Sequence, residues 1–333
     1  MSQLPEMVQA LLDPKAYPDT PQGVEMVQTQ MSFVFLTDSY VYKVKKPVNL
    51  GYLDYTTLEK RQFYCQKEIE LNRRLCPDVY LGVVPITQQR SDIFVEGQGK
   101  VIEYAVKMRR LPQEAMMDVL LANNQVSPEM VTRVSQRLAE FHQKAETNAN
   151  ISAFGDLDTI TQNSDENFTQ TEKYIGNTIS QEGYQHIKDY TDSFIEKNAS
   201  LFHKRIADGR IRDCHGDLHA AHICFTSGIC IYDCIEFNDR FRYCDVASEI
   251  AFLAMDLDHY GRADLSRSFV NAYVARSQDN ELSQLLNFYK CYRAYVRGKV
   301  ESFKLDDPHI SEEEKTKVLA VTKSYFELAE SYI

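Results

Sequence analysis

Over the first hundred or so residues the apolar positions fall in short β-branched and aromatic runs, the pattern of strands. VFL (34–36) and YVYKV (40–44) flank the turn-forming Thr37-Asp38-Ser39 and predict a hairpin. LGVVPIT (81–87), SDIFVEG (91–97) and VIEYAVKM (101–108) predict three more strands, separated by polar or glycine turns. One helix interrupts them. Thr56 with Glu59 three residues later is a capping box, the pattern runs on to Leu75, and Pro77 stops it. Beyond Leu111-Pro112 the period becomes helical. Ser127-Pro128 supplies an N-cap and first helical residue, and Met130, Val134, Leu138 and Phe141 share one face of the helix that follows. Residues 148–170 are polar and predict surface loop with short helices. Helical patterns resume over 181–207 and again from Asp245 onward, around one β-prone island at 222–237. The expected fold class is α+β and bilobal: a β-rich N-lobe over residues 1–110, an antiparallel sheet plus one helix, joined to a mainly α-helical C-lobe over 111–333.

A chain of 333 residues and 38.4 kDa is long enough to bury the core of two such lobes. It has no apolar run long enough to cross a membrane and no basic, apolar leader, so a cytoplasmic location is expected. The net charge of −11 and pI near 5.3 argue against a broad surface for nucleic acid or anionic membrane. They leave room for a local basic pocket. Five of the eight cysteines (Cys214, Cys224, Cys230, Cys234 and Cys244) crowd into one region, but none forms a CxxC pair. Several sit inside apolar runs, so they read as small core residues rather than zinc ligands or a disulfide framework.

The sharpest chemical signal is His215-Gly216-Asp217-Leu218-His219-Ala220-Ala221-His222-Ile223, followed by Ile231-Tyr232-Asp233-Cys234-Ile235-Glu236-Phe237. Thr226-Ser227-Gly228 is a tight turn between two short strands, which puts His222 at the entry of the hairpin and Asp233 at its exit. An aspartate to orient a hydroxyl, with two further residues to hold Mg²⁺, is the minimal equipment for phosphoryl transfer. The segment HGDLHAAHI resembles the HGDLHxxN signature of aminoglycoside phosphotransferases and their small-molecule kinase relatives, which share a protein kinase-like fold. IYDCIEF resembles the metal-binding aspartate strand that follows it in that family. The resemblance implies Asp217 as catalytic aspartate, Asp233 as the main Mg²⁺ ligand, and ATP as phosphoryl donor. The chain departs from the signature at His222, where the family has asparagine. Imidazole is a softer ligand that favours transition metals. His222 therefore either binds the metal, with Mn²⁺ then possible, or only hydrogen-bonds within the loop while Glu236 contributes.

A kinase also needs a cation on the nucleotide phosphates and a helix glutamate to hold it. Alternation along VYKVKK puts Val41, Lys43 and Lys45 on one face of a strand. Lys43 resembles the lysine of the VAIK-type strand; Lys45 is the reserve, and Lys46 reads as a solvated charge. Tyr64, Glu68, Leu71 and Leu75 recur at helical spacing, and a carboxylate on that stripe needs a cationic partner. KEIELNRRL resembles the family's helix pattern, which also selects Glu68. There is no GxGxxG loop and no Walker-A motif. Thr29-Gln30-Met31-Ser32 is left to cover the phosphates with backbone N–H groups and the Ser32 hydroxyl. The resemblance makes EYAVKMRRL (103–111) the strand that meets adenine, with Met108 either there or in plain packing. RLAEFH (137–142) resembles a C-lobe helix motif of these enzymes, and the chain looks most like a bacterial branch whose longer members add a P-loop ATPase domain.

Fewer than fifteen residues separate Asp233 from Asp245, an expected helix N-cap, too few for a long activation segment. A small-molecule hydroxyl is therefore the expected acceptor. Lys290, Arg293 and Arg297 form one basic helix face, which either binds an anionic substrate or is a solvated face paired with carboxylates. A regulatory nucleotide-binding pseudokinase and AMP transfer on the same fold are the competing functions.

Overall fold

The computed structural model describes residues 4–308 and 310–333, and the chain divides into two compact units. The first comprises the chain up to Val119 together with His222–Asp239; the second comprises Leu120–Ala221 and Arg240–Ile333. In the first, a short helix α1 (Glu6–Ala10) precedes strands β1 (Glu25–Gln28), β2 (Ser32–Leu36) and β3 (Tyr40–Lys45). Helix α2 (Leu58–Asn72) follows, then β4 (Tyr80–Gln89), β5 (Asp92–Val95), β6 (Lys100–Arg109) and α3 (Met117–Ala122), in which the chain leaves the unit. The six strands form one antiparallel sheet in the order β1-β2-β3-β6-β4-β5. The predicted hairpin is β2–β3, in a register that sets Lys43 opposite Val34 and Val106. Strand β1 has no counterpart in the reading above, because its pattern is almost wholly exposed and carries no alternation.

Helix α2 differs at both ends from expectation. Thr56 is consumed by Asp54, whose Oδ1 accepts from both its hydroxyl (2.6 Å) and its backbone N–H (3.0 Å). Thr57 is the cap instead, accepting from Lys60 N at 3.3 Å. The helix stops at Asn72, where the Asn72 side chain turns back onto the Glu68 carbonyl (2.9 Å). Cys76, just beyond it, is joined by a disulfide to Cys230. Cys230 is therefore bridged, against the reading of its cluster as plain core residues, whereas the other six cysteines are free, as that reading expects.

The second unit begins with α4 (Pro128–Lys144), capped by Ser127 Oγ on Met130 N (3.3 Å). Helices α5 (Ala149–Ser152), α6 (Leu157–Thr171), α7 (Gln181–Lys197) and α8 (Ala199–Ala207) follow, then β7 (Ile211–Asp213). The chain next contributes the hairpin β8 (Ile223–Phe225) and β9 (Ile229–Ile231) to the first unit, bridged to Met116. It continues through α9 (Asp239–Arg242), β10 (Tyr243–Asp245), which pairs with β7, and helices α10 (Val246–His259), α11 (Ala263–Ser277), α12 (Leu282–Ser302) and α13 (Glu312–Glu330). The polar stretch read as loop holds the fifteen-residue α6. Its Ser164 and Thr171 hydroxyls donate to carbonyls one turn back (3.0 and 2.7 Å), so they can be buried beside Phe168. Asp245 is the expected N-cap of α10, accepting from Ala247 N at 2.8 Å. Its two oxygens also take Arg205, a fully buried guanidinium, at 2.6 and 2.9 Å.

Thiol titration of the denatured chain should find six groups before reduction and eight after it. Cys76→Ser should lower stability by about 2–4 kcal/mol in urea unfolding under oxidising conditions. Eight thiols without reductant would show that the bridge does not form.

Candidate active site

In the first unit the strand lysines and the helix glutamate build one continuous chain of charge. Glu68 on α2 is fully buried, and its carboxylate is divided between two strand neighbours: Oε1 lies 3.0 Å from Lys43 Nζ and Oε2 lies 2.7 Å from Lys45 Nζ. Lys43 also donates to Asp233 Oδ1 at 2.7 Å. Lys45 donates to Glu236, which in turn accepts from the Tyr55 hydroxyl at 2.6 Å. Burial alone would pull both ammonium groups toward neutrality. The surrounding carboxylates outweigh it, Asp233 first for Lys43 and Glu236 first for Lys45, and raise both pKa values above the ordinary lysine value. Burial likewise opposes ionisation of Glu236, yet Lys45 and Lys43 hold its carboxyl below the usual range. Glu236 is thus committed to Lys45 and Tyr55 inside the fold.

Two ammonium groups, Lys43 and Lys45, sit among three carboxylates, Glu68, Asp233 and Glu236. The excess negative charge lies at Asp233, whose side chain is 40% exposed. His222 Nε2 stands 3.5 Å from its Oδ2. Asp233 has φ of +63°, a left-handed conformation that is uncommon outside glycine and that recurs at functional sites. Its backbone is pinned on both sides: Asp233 N donates to the Tyr80 hydroxyl (3.1 Å), and Cys234 N to Asn72 Oδ1 (2.9 Å). An exposed hard oxygen donor with surplus negative charge and an imidazole beside it fits a divalent cation.

Lys43, Glu68, Asp233 and His222 therefore come together in one unit. Ser32 opens β2 opposite Lys45 and is buried, 2% exposed as a residue. The turn before it, between β1 and β2, is capped by Thr29 Oγ1, which accepts from Met31 N (3.2 Å) and Ser32 N (3.0 Å). Met108, on β6, is buried between Val41 and Tyr80 in the cluster that includes Cys76 and Cys230.

Asp217 belongs to the second unit, on a loop whose backbone is fastened at nearly every residue. Glu249, a buried carboxylate on α10, accepts from His215 N (2.6 Å) and Gly216 N (2.7 Å) through Oε1. Its Oε2 meets His142 Nε2 at 2.6 Å, and His142 Nδ1 meets the Tyr273 hydroxyl at 2.7 Å. All four groups are satisfied when Tyr273 donates to Nδ1 and Nε2–H donates to Glu249. Gly216 has φ of +89°, which suits glycine alone. Its carbonyl accepts from Arg293, Asp217 N donates to His215 Nδ1 (3.3 Å), and Ala220 N to Asp256 Oδ2 (2.8 Å). What this leaves facing outward is the Asp217 carboxylate, 34% exposed, with His219 Nε2 3.6 Å from its Oδ2.

A choline/ethanolamine kinase family protein from Mesorhizobium loti has a similar structure, with a TM-score of 0.52 and 11% identity over 98% of this chain and 99% of that one. The fold is kinase-like. In sequence, uncharacterized proteins of Mycobacterium bovis and Mycobacterium tuberculosis are 33% identical over 288 residues, 86% of this chain. The chain spans only 56% of the length of those relatives. No protein-family model matches it.

Within the kinase-like fold, the basic face foreseen on α12 proves to be two internal ties and one outlying arginine. Lys290 is buried on Asp258 (2.8 Å) and Ser266 (3.0 Å), and Arg293 is buried on Ser248 and the Gly216 carbonyl. Neither is a solvated charge. Sequence reasoning missed Glu249, although a lone carboxylate in VASEIAFLAM is the signal of a buried group that must be paired. It also missed Asn72, Tyr80 and Asp256, whose roles are contacts with distant backbone.

Glu249 carries a testable pH signature. Burial raises its pKa, but His142 and the loop N–H groups overcome this and bring it down to about 2. A depressed carboxyl stabilises the fold above its ordinary value of about 4.5, and the contribution is lost as pH falls toward 2. Its size is about 3 kcal/mol. Glu249→Gln should lose about that much at pH 7 in urea unfolding and show a flatter acid limb. An acid limb identical to wild type would overturn the assignment.

Proposed function

We propose that the protein is an ATP-dependent phosphotransferase that moves the γ-phosphate to a hydroxyl of a small molecule. The observation that carries this reading is Lys43 shared between buried Glu68 (3.0 Å) and exposed Asp233 (2.7 Å). A structural ion pair has no need of a third, solvent-facing carboxylate held in strained backbone. A nucleotide–metal site needs one. The kinase-like fold supports the same reading.

Each side chain then has a task. Lys43, kept charged by its carboxylates, meets the nucleotide phosphates, and Glu68 holds it in place. Asp233 and His222 would hold a divalent cation, Mg²⁺ or Mn²⁺, which when bound neutralises phosphate charge. Asp217 orients the acceptor hydroxyl and receives its proton as the oxygen attacks phosphorus and the bond to the leaving ADP oxygen breaks. The brace through Glu249 matters here because a misplaced nucleophile costs rate steeply. The role of the β1–β2 turn is confined to its uncommitted backbone groups, since Thr29 already takes two of its N–H donors and Ser32 is buried. Adenine would lie along the strand that carries Met108.

That turn is also the one observation favouring the competing reading, a nucleotide-binding pseudokinase: a phosphate-covering loop with its donors occupied binds without positioning. Products separate the possibilities. A metabolite-library screen with Mg²⁺ and Mn²⁺ in parallel should yield ADP and a phosphorylated compound; pyrophosphate would mean AMP transfer, and no turnover the pseudokinase. Asp217→Asn should cut turnover by about 10²–10⁴-fold while ATP affinity by calorimetry stays within about threefold. Asp233→Ala should abolish the gain in nucleotide affinity that metal brings. Wild-type turnover in Asp217→Asn would sink the mechanism.

A further inference from the structure

Helix α12 runs beside the Asp217 loop within the second unit, and Arg293 fixes the contact by donating to the Gly216 carbonyl at 3.3 Å and lying over Phe252 at 4.8 Å. Arg297 follows four residues later, one turn further along the same face. Unlike Lys290 and Arg293, it has no backbone or carboxylate hydrogen bond. Its Nη2 makes a loose ion pair of 3.6 Å with Glu301 Oε1, while Lys304 holds the other oxygen of Glu301, Oε2, at 2.6 Å. Its guanidinium lies over the Tyr325 ring at 5.6 Å, and that ring is stacked on His259 at 3.9 Å. Arg297 Nε has no hydrogen-bond partner, yet the side chain as a whole remains 23% exposed.

An arginine held this loosely has donor capacity left for a ligand. Only a loose ion pair and ring contacts hold its partly exposed guanidinium, and a guanidinium edge is built to take a planar or tetrahedral oxyanion. Burial opposes its charge, but Tyr325, Asp217 and Asp256 outweigh that and hold it firmly protonated. The local charge does not forbid an anion: Asp217, Asp256 and Glu301 are matched by Arg293, Arg297 and Lys304.

We propose that Arg297 is the specificity-determining residue of the acceptor site, and that the acceptor carries an anionic group, a carboxylate or a phosphate, close to the hydroxyl it presents to Asp217. This rests on Asp217 being the residue that meets the acceptor hydroxyl. Arg297 binds the anionic group and Asp217 the hydroxyl, so an acceptor lacking the charge is held at one end only.

The test reads binding without nucleotide, so it is independent of whether Asp217→Asn loses turnover. Calorimetry on the full chain at low salt compares glycerol 3-phosphate and glycerate with neutral glycerol and cationic ethanolamine. At least one anion should bind about tenfold or more tightly than glycerol and ethanolamine, and the tighter of the two identifies phosphate or carboxylate as the group recognised. Arg297→Gln should remove that preference, Arg297→Lys should keep part of it, and ATP affinity should be unchanged in both. The retained ATP affinity shows that the variants fold. No saturable binding of either anion, tighter binding of ethanolamine, or a preference that survives in Arg297→Gln would each overturn the proposal.

Discussion

A carboxylate with no access to water has to be neutralised completely, and Glu68 meets that demand by dividing its two oxygens between two lysines of one strand. The rest of the first unit's polar architecture follows from this division. Two lysines on one carboxylate leave surplus positive charge, so Glu236 is drawn onto Lys45 and Asp233 onto Lys43. The chain of charges is buried at the Glu236 end, where Tyr55 closes it, and open at the Asp233 end. A fully internal network would be only structure. This one ends in an aspartate that is 40% exposed and has a φ of +63°.

The second unit solves a similar problem with the opposite emphasis. Glu249 is buried as deeply as Glu68, but it spends one oxygen on backbone, holding the two residues before Asp217. The other oxygen is taken by His142, whose far nitrogen is taken by Tyr273, so three helices fix the height and tilt of one loop. The backbone on either side of Asp217 is fixed through His215, Gly216 and Ala220. Its carboxylate remains 34% exposed.

What the sequence made legible tracks local physics closely. Five of the six strands of the sheet, the 226–228 turn, and the caps Ser127 and Asp245 were readable because alternation, turn residues and N-cap hydroxyls or carboxylates act within a few positions. The pairing of Lys43 with Glu68 was readable because a charge on an apolar stripe demands an opposite one. Helix α6 was not, since its buried face is polar and becomes buriable only once serine and threonine bond to their own helix. The brace was not either: Glu249 and His142 lie 107 residues apart, and no local pattern joins them. The basic face of α12 shows a different limit. Helical spacing puts three cations on one side without saying that this side is the inside, where Lys290 and Arg293 are buried and Arg297 is the most exposed of the three.

The first unit is discontinuous in sequence, and this has a consequence for its birth on the ribosome. Roughly a hundred residues of chain lie between Val119 and His222. At about 5–20 residues per second their synthesis takes about 5–20 seconds. Throughout that interval the sheet and α2 have emerged with Lys43, Lys45 and Glu68, while Asp233 and Glu236 do not yet exist. The nascent sheet carries an uncompensated lysine where the finished one has a saturated network, so it should stay loose until the 222–239 segment arrives to close it.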